Sequence, residues 1–327
     1  MARSKPGTSK RRCDRERIRT ELQGHYWREG ASPGSQWTVE KLGRNIHRVT
    51  MLAETPHAFE WHGLLSSDRH HDNAHTDQDL ERAHLDEIVR RKGGVIDAGD
   101  GFCAMQGRFD LRADRSALRP EYQSGDYLDA LVREATRFYA PYADRFVVIG
   151  RGNHETAITK RHETDLTERL CAGLSAAGPA PVYSGGYGGW VLFRLVTQSG
   201  GGFAFRIRYF HGAGGGAAMT HGVLDTVRQA SLWPDADMVI TGHTHHHWVV
   251  PIARERLRQF LGQAEVVLDE QLHVRIGTYK DEHGDGFGGW AVEKGLRPKA
   301  LGAVWMRLHI AGRQGEYRLA AEVNRAT

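Results

Sequence analysis

Five short clusters of Asp, Asn and His are the parts of this sequence whose side chains can do chemistry. They are Asp68-Arg69-His70, Gly99-Asp100, Gly150-Arg151-Gly152-Asn153-His154-Glu155, Phe210-His211-Gly212 and Gly242-His243-Thr244-His245. Asp-x-His and His-x-His, placed on a turn, can each aim two ligands into one pocket, and the glycines beside them let the backbone come close. No cysteine takes part. A donor set of carboxylate, amide oxygen and imidazole suits Mn²⁺, Fe or Zn²⁺ better than a thiolate-loving metal. The chain holds 19 histidines, an ample supply of neutral nitrogen ligands.

Each cluster follows a stretch that reads as a strand, so loops at a sheet edge could bring them together. Phe59–Ser66 runs into the first cluster, Val95–Ala98 into the second, Arg145–Ile149 into the third, Phe203–Phe210 into the fourth and Met238–Thr241 into the fifth. Helical spacing of apolar residues predicts helices over Asp77–Lys92, Asp126–Tyr142 and Asp165–Ala176. Further strands are expected at Trp190–Val196, Trp248–Ile252, Glu265–Leu268, His273–Ile276, Ala303–Ile310 and Tyr317–Val323. Strands and helices alternate first and strands dominate later, which predicts an α/β protein with more than one sheet. The glycine runs at 185–189, 200–202 and 212–216 read as turns, and no Gly-Lys-Ser/Thr follows the last of them, which excludes a Walker-type nucleotide loop.

Composition narrows the class further. With 44 Lys+Arg against 40 Asp+Glu, 40% hydrophobic and 26% charged residues, the 327-residue chain has an ordinary soluble balance. No run approaches the ~18 apolar residues of a membrane span, so no membrane partner is expected. The basic start, Met1 to Arg12, lacks the apolar block of a secretory signal. Cys13, Cys103 and Cys171 are odd in number and far apart, which fits a reducing cytoplasm rather than a disulfide framework. The net +4 is local: residues 1–30 hold nine Lys/Arg and four acids, leaving 35 bases and 36 acids elsewhere. Residues 1–35 therefore read as a basic flexible arm that could tether nucleic-acid phosphates. Residues 36–327 read as the catalytic domain, with an Arg-rich insertion or lid at 102–124.

Taken in order, the five clusters resemble the calcineurin-like metallophosphoesterase superfamily, in particular its bacterial and phage-borne members. The resemblance covers roughly residues 58–310. It implies a four-layer α/β/β/α sandwich of two mixed sheets flanked by helices, the metallophosphoesterase fold. It also implies two divalent metal ions, Mn²⁺ first, with Fe, Zn²⁺ or Mg²⁺ as alternatives. Asp68, His70 and His245 would hold one metal, Asn153, His211 and His243 the other, and Asp100 would bridge them. His154 would face the substrate as the catalytic group and Arg151 would grip its phosphate. The implied activity is a dinuclear phosphoester hydrolase using a metal-bridging hydroxide for in-line attack at phosphorus.

The basic arm and Arg108, Arg112, Arg115 and Arg119 incline the reading to a phosphodiesterase or nuclease acting on nucleic acid or nucleotides. A phosphomonoesterase of the same superfamily and a non-catalytic binding module on this scaffold are the alternatives. Where many members carry a carboxylate or Asn three residues after the second-motif Asp, this chain has Cys103. The hydrogen-bonding partner which that position would supply is expected from Asp97 or Asp72. His71, Asp72 and His75 read as neighbours of the ligands, with Asp72 best placed to orient one. Tyr279-Lys280-Asp281 is a candidate substrate-facing stretch.

Overall fold

A computed structural model of the chain describes residues 37–53, 59–106, 110, 113, 117–123, 125–197, 202–215, 219–260, 262–284, 286–287, 290–312 and 317–327. The basic arm and three of the insertion arginines, Arg108, Arg112 and Arg115, lie outside them. Twelve strands are described: β1 (Trp37–Gly43), β2 (Ile46–Ala53), β3 (Glu60–Ser66), β4 (Gly94–Asp97), β5 (Phe146–Ile149), β6 (Gly188–Thr197), β7 (Gly202–Phe210), β8 (Met238–Thr241), β9 (Trp248–Phe260), β10 (Gln263–Arg275), β11 (Ala303–Ala311) and β12 (Arg318–Ala326). The six described α-helices are α1 (Gln78–Arg90), α2 (Tyr127–Tyr139), α3 (Asn153–His162), α4 (Leu166–Ala177), α5 (Asp225–Leu232) and α6 (Trp290–Glu293).

The strands form two mixed sheets, a seven-stranded one in the order β1-β2-β6-β7-β8-β10-β9 and a five-stranded one in the order β12-β11-β3-β4-β5. Their facing surfaces make one core, in which Leu65, Ile96 and Val148 of the smaller sheet meet Val191, Phe193, Ile207, Met238 and Val274 of the larger. The other face of the smaller sheet is covered by α1, α2 and α4, through Leu85, Ile88, Leu131, Tyr139, Leu170 and Leu174. On the outer face of the larger sheet the cover is thin. There α5 lies against β9, and Trp233 just beyond it stacks on Phe210 and under Arg208. Helix, sheet, sheet and helix give the four layers.

The helix boundaries have local causes. Asp77 caps α1 by accepting from Leu80 N at 2.9 Å, and Asp165 caps α4 by accepting from Thr167 N and Glu168 N at 3.1 Å. The helix expected to reach Tyr142 stops at Tyr139, because Pro141 cannot donate to the ladder, and residues 140–145 tighten into a 3₁₀ turn. Two expected strands, Glu265–Leu268 and His273–Ile276, prove to be the single strand β10. Its antiparallel register against β9 runs unbroken from Gln263↔Phe260 to Arg275↔Trp248, and its mid-strand Asp269 is neutralised by Arg254 at 2.6 Å. Gly188 and Gly189, expected in a turn, are the first residues of β6.

One consequence of this topology carries the site. β3, β4 and β5 run parallel in one sheet and β7, β8 and β10 run parallel in the other. Their carboxyl ends therefore gather along one edge of each sheet, where loops in open α/β sheets form binding crevices.

Candidate metal centre

Asp68 and His70 leave β3, Asp100 leaves β4, Asn153 follows β5, His211 follows β7, and His243 and His245 follow β8. The folded chain brings these seven together from five strand ends. Asp68, His70 and His245 place one donor atom each within 4.8 Å of one another, and so do Asp100, His211 and His243. Asn153 joins the second group: its Oδ1 lies 3.0 Å from His211 Nε2 and 2.8 Å from His243 Nδ1. Asp100 Oδ2 is 3.1 Å from the same His211 nitrogen.

Five of the seven adopt left-handed backbone, Asp68 (φ 50°), His70 (46°), Asp100 (53°), His243 (75°) and His245 (57°). For residues carrying a Cβ this conformation costs on the order of 1–3 kcal/mol each. Surrounding bonds hold it in place: Asp68 N donates to Gly99 O at 2.9 Å, His70 N to Asp100 O at 3.1 Å, and Thr278 Oγ1 to Asp68 O at 2.7 Å. His243 N also donates to Asp68 Oδ2 at 2.8 Å, tying the first loop to the fifth. Two motif glycines are required by closeness. A Cβ on Gly152 would run into the Asp100 carboxylate, and one on Gly242 into Ser67 and the Asp68 carboxylate.

The donors suit hard to borderline divalent cations. Neighbouring ligands of a six-coordinate cation with bonds of about 2.1 Å stand roughly 3 Å apart, the spacing found between Asp100, His211, Asn153 and His243. Asp68 Oδ1 is buried and met by His245 Nε2 at 3.3 Å, while His70 Nδ1 is buried with no hydrogen-bond partner, which is costly unless a bound group satisfies it.

Without a cation, the centre is held together by protons. Burial disfavours the charged form of His211, yet Asp100, Asp68 and Glu155 overcome it and hold the imidazole up to about 9. His245 is likewise raised to about 9, burial being outweighed by Asp68 and Glu282. Burial opposes ionisation of Asp68, but His245 and His211 bring it down to about 2. Burial and the facing His154 and His245 push His70 well below its ordinary value.

A cation must displace the protons on His211 and His245, so at pH 7 full loading is expected to release about two protons. Affinity should climb as pH rises towards 9 and level off above it. These two histidines stabilise the metal-free fold fully below their ordinary 6.5, and that contribution is lost as pH rises through about 9. Calorimetric metal titration in buffers of different ionisation heat measures the release; a heat independent of buffer at pH 7 would contradict it.

His154 stands beside both groups. Its backbone N donates to Asp100 Oδ1 at 3.0 Å, its Nε2 lies 3.7 Å from Asp100 Oδ2, and its Nδ1 bonds the Cys103 carbonyl at 2.5 Å. That carbonyl takes the place expected of a carboxylate. Asp72 supports it from behind, accepting from Cys103 N at 2.6 Å, Ala104 N at 3.0 Å and Tyr127 OH at 2.8 Å. Asp72 thus acts on His154 through the loop, and Asp97 is engaged elsewhere, with Arg69 and Ser66. The described parts of 102–124 pack inward, with Phe102, Cys103, Ala104, Leu118 and Tyr122 buried. Arg119 is engaged with the Asn73 and Thr76 carbonyls. Arg151 pairs its guanidinium with Asp165.

Sequence reasoning gave no role to two carboxylates at this centre. Glu155 accepts from Phe102 N at 2.9 Å and Gly152 N at 2.8 Å, fastening the loops that carry Asp100 and Asn153. Burial and the neighbouring Asp100 push it up to about 8. Its position at N3 of α3 was the available signal. Glu282 lies 3.6 Å from His245 Nδ1 and 3.0 Å from Lys280 Nζ, and nothing in its local sequence marks it. In the stretch singled out beside it, Tyr279 is buried and its hydroxyl meets His84 Nδ1 at 2.9 Å. Asp281 caps the turn at His283 and Gly284.

No protein-family model and no curated protein sequence matches this chain. Solved structures similar to it include GAP50, the anchor in the inner membrane complex of Plasmodium, at 11% identity and a TM-score of 0.43, covering 82% of this chain and 85% of that one. Vps29 from Entamoeba histolytica, complexed with Zn²⁺, is similar at 11% identity and a TM-score of 0.30, covering 80% and 98%. A conserved protein from Streptococcus pneumoniae described as a predicted phosphoesterase is similar at 12% identity and a TM-score of 0.29, covering 81% and 99%. The chemistry of this chain is therefore argued from its own side chains. Among the described residues no helix is long and apolar enough to cross a membrane.

Proposed function

We propose that the protein is a dinuclear metal-dependent phosphoester hydrolase of the calcineurin-like metallophosphoesterase superfamily. The observation that carries this reading is the convergence of seven oxygen and nitrogen donors into two adjoining groups, with a histidine beside them that belongs to neither. Asp68, His70 and His245 would hold one cation and Asn153, His211 and His243 the other, with Asp100 shared. Two divalent cations there, Mn²⁺ first, would supply Lewis acidity towards phosphoryl oxygens and lower the pKa of a water.

The rest is done by the chain. Only two of the seven ligands are carboxylates, so the loaded centre keeps positive charge for a phosphate. The amino end of α3 adds to it. The Cys103 carbonyl accepts from His154 Nδ1–H, which leaves Nε2 as the atom that would pass a proton to the leaving oxygen. Arg151 belongs to the proposal as the group that grips the substrate phosphate once it releases Asp165. The inclination to diesters of nucleic acid or nucleotides rests on the basic arm of the sequence, since Arg119 is engaged by backbone carbonyls.

Metal analysis, followed by product analysis on single- and double-stranded DNA, RNA, cyclic nucleotides and an aryl phosphate with Mn²⁺, tests this. Mn²⁺-dependent cleavage of a diester is expected. Turnover of the monoester alone would remove the diester reading. A protein that binds no metal and hydrolyses nothing would instead be a binding module on this scaffold.

A further inference from the structure

A third set of donors overlaps the first group at His70 and adds Cys103 and His154, which neither group uses. His70, Cys103 and His154 each place one ligand atom within 4.8 Å of the other two. All three are poorly exposed, Cys103 at 3% and His70 at 1%. Cys103 Sγ has one polar contact, from Asn73 Nδ2 at 3.5 Å, the longest of the bonds around this loop. His154 is anchored through Nδ1, and its Nε2 has only the longer contact to Asp100 Oδ2 at 3.7 Å. One nitrogen of His70 faces His245 at 3.2 Å, while its Nδ1 is buried without a hydrogen-bond partner.

We propose that His70, Cys103 and His154 form an alternative site for one thiophilic divalent cation, Zn²⁺ or Cd²⁺ in class, overlapping the first group at His70. A thiolate with two imidazoles and an open position is a donor set these ions favour, at bonds of about 2.0–2.3 Å. Those bonds put neighbouring donors of a tetrahedron roughly 3.3–3.8 Å apart, a spacing the present arrangement reaches by small side-chain movement. Binding is an exchange of a proton for a cation: Cys103 gives up its thiol proton to solvent, the S–M bond replaces S–H, and no electron is transferred. The two neighbouring groups offer only oxygen and nitrogen donors, so the thiolate of Cys103 is what makes this site select for softness.

The second part of the inference rests on the hydrolase reading. His70 is shared with the Asp68–His245 group, and His154 is the proposed acid. A soft cation here draws both away from hydrolysis, so it inhibits rather than supports turnover.

The first test needs no activity. Protein freed of metal and carrying Cys13→Ser and Cys171→Ser is titrated with Cd²⁺ alone. A sulfur-to-cadmium charge-transfer band should appear and saturate at one thiolate per chain, and the band should vanish when Cys103→Ser is added. No band, or a band surviving Cys103→Ser, overturns the site. The wild-type protein gives a check independent of how the variants fold. Crystals soaked in Cd²⁺ should show an anomalous peak among Cys103, His70 and His154, and cadmium confined to the other two groups overturns the proposal. In Mn²⁺-supported hydrolysis, the Cd²⁺ concentration for half-inhibition should rise at least about tenfold in Cys103→Ser. An unchanged value overturns the inhibitory role while leaving the site to the spectroscopic and crystallographic results.

Discussion

Replacing Asp100 with alanine is expected to strip metal and turnover from the protein together. The residue is 2% exposed, and its two oxygens serve different partners. Oδ1 accepts from His154 N at 3.0 Å, and Oδ2 lies 3.1 Å from His211 Nε2 and 3.7 Å from His154 Nε2. Burial works against its ionisation, but His211, His154 and His70 keep it charged far below the usual carboxylate range. Removing it deletes the only carboxylate of the second group, takes the charged partner from His211 and leaves the His154 amide without its acceptor. Metal affinity should fall by about 100-fold or more, and turnover by roughly 1,000-fold. Asp100→Asn keeps the shape and the acceptor for His154 N without the charge, and should fall between wild type and alanine. Metal content by mass spectrometry, with circular dichroism to establish folding, measures the outcome. A folded Asp100→Ala protein that retains two cations per chain would remove Asp100 from the centre.

The contrast with Asp97 shows how far the sequence could be read. Asp97 and Asp100 stand three residues apart around one glycine, and residue type alone does not separate them. Strand periodicity does part of the work, since β4 ends at Asp97 and a ligand is expected on the turn beyond. The partners come only with the fold: Asp97 is buried against Arg69 Nε at 3.0 Å and Ser66 Oγ at 2.9 Å, whereas Asp100 faces imidazoles. The same holds for Asp68-Arg69-His70. Its outer residues turn to the centre, while Arg69 turns away and lies 4.6 Å from the centroid of the Tyr139 ring.

Many of the individual strands were legible for a related reason. β5 and β8 are buried along their whole length, so four apolar residues in a row in β5 and three in β8 sufficed to mark them. β1 and β2 were not distinguished: β1 is an edge strand largely open to solvent, and β2, paired on both sides, buries the polar His47 and Thr50 among its apolar residues. The left-handed backbone of Asp68, His70, Asp100, His243 and His245 could not be foreseen either. Asp and His tolerate φ > 0 better than most residues but do not require it. It is imposed by long-range bonds such as Thr278 Oγ1 to Asp68 O, across 210 residues. Glu282 belongs to the same category, reaching His245 from a loop beyond β10 that carries no motif.

His154→Ala should produce the opposite pattern from Asp100→Ala, with metal content near normal and turnover reduced. His154 lies outside both oxygen-and-nitrogen groups, and its backbone N–H to Asp100 survives the substitution, so the cations keep their ligands. What is lost is the Nε2 proton. Positioned proton donors contribute about 10²- to 10⁴-fold, and the amount depends on how badly the leaving oxygen needs a proton. A ribose hydroxyl is a poor leaving group as an alkoxide and should show the full deficit. A nitrophenolate departs without protonation and should lose little. Comparing kcat for an alkyl and a nitrophenyl ester of the same phosphate in wild type and His154→Ala isolates the proton from any general disturbance of the centre, which would slow both alike. Equal deficits on the two esters, or metal loss matching that of Asp100→Ala, would show His154 to be a support for the centre rather than its acid.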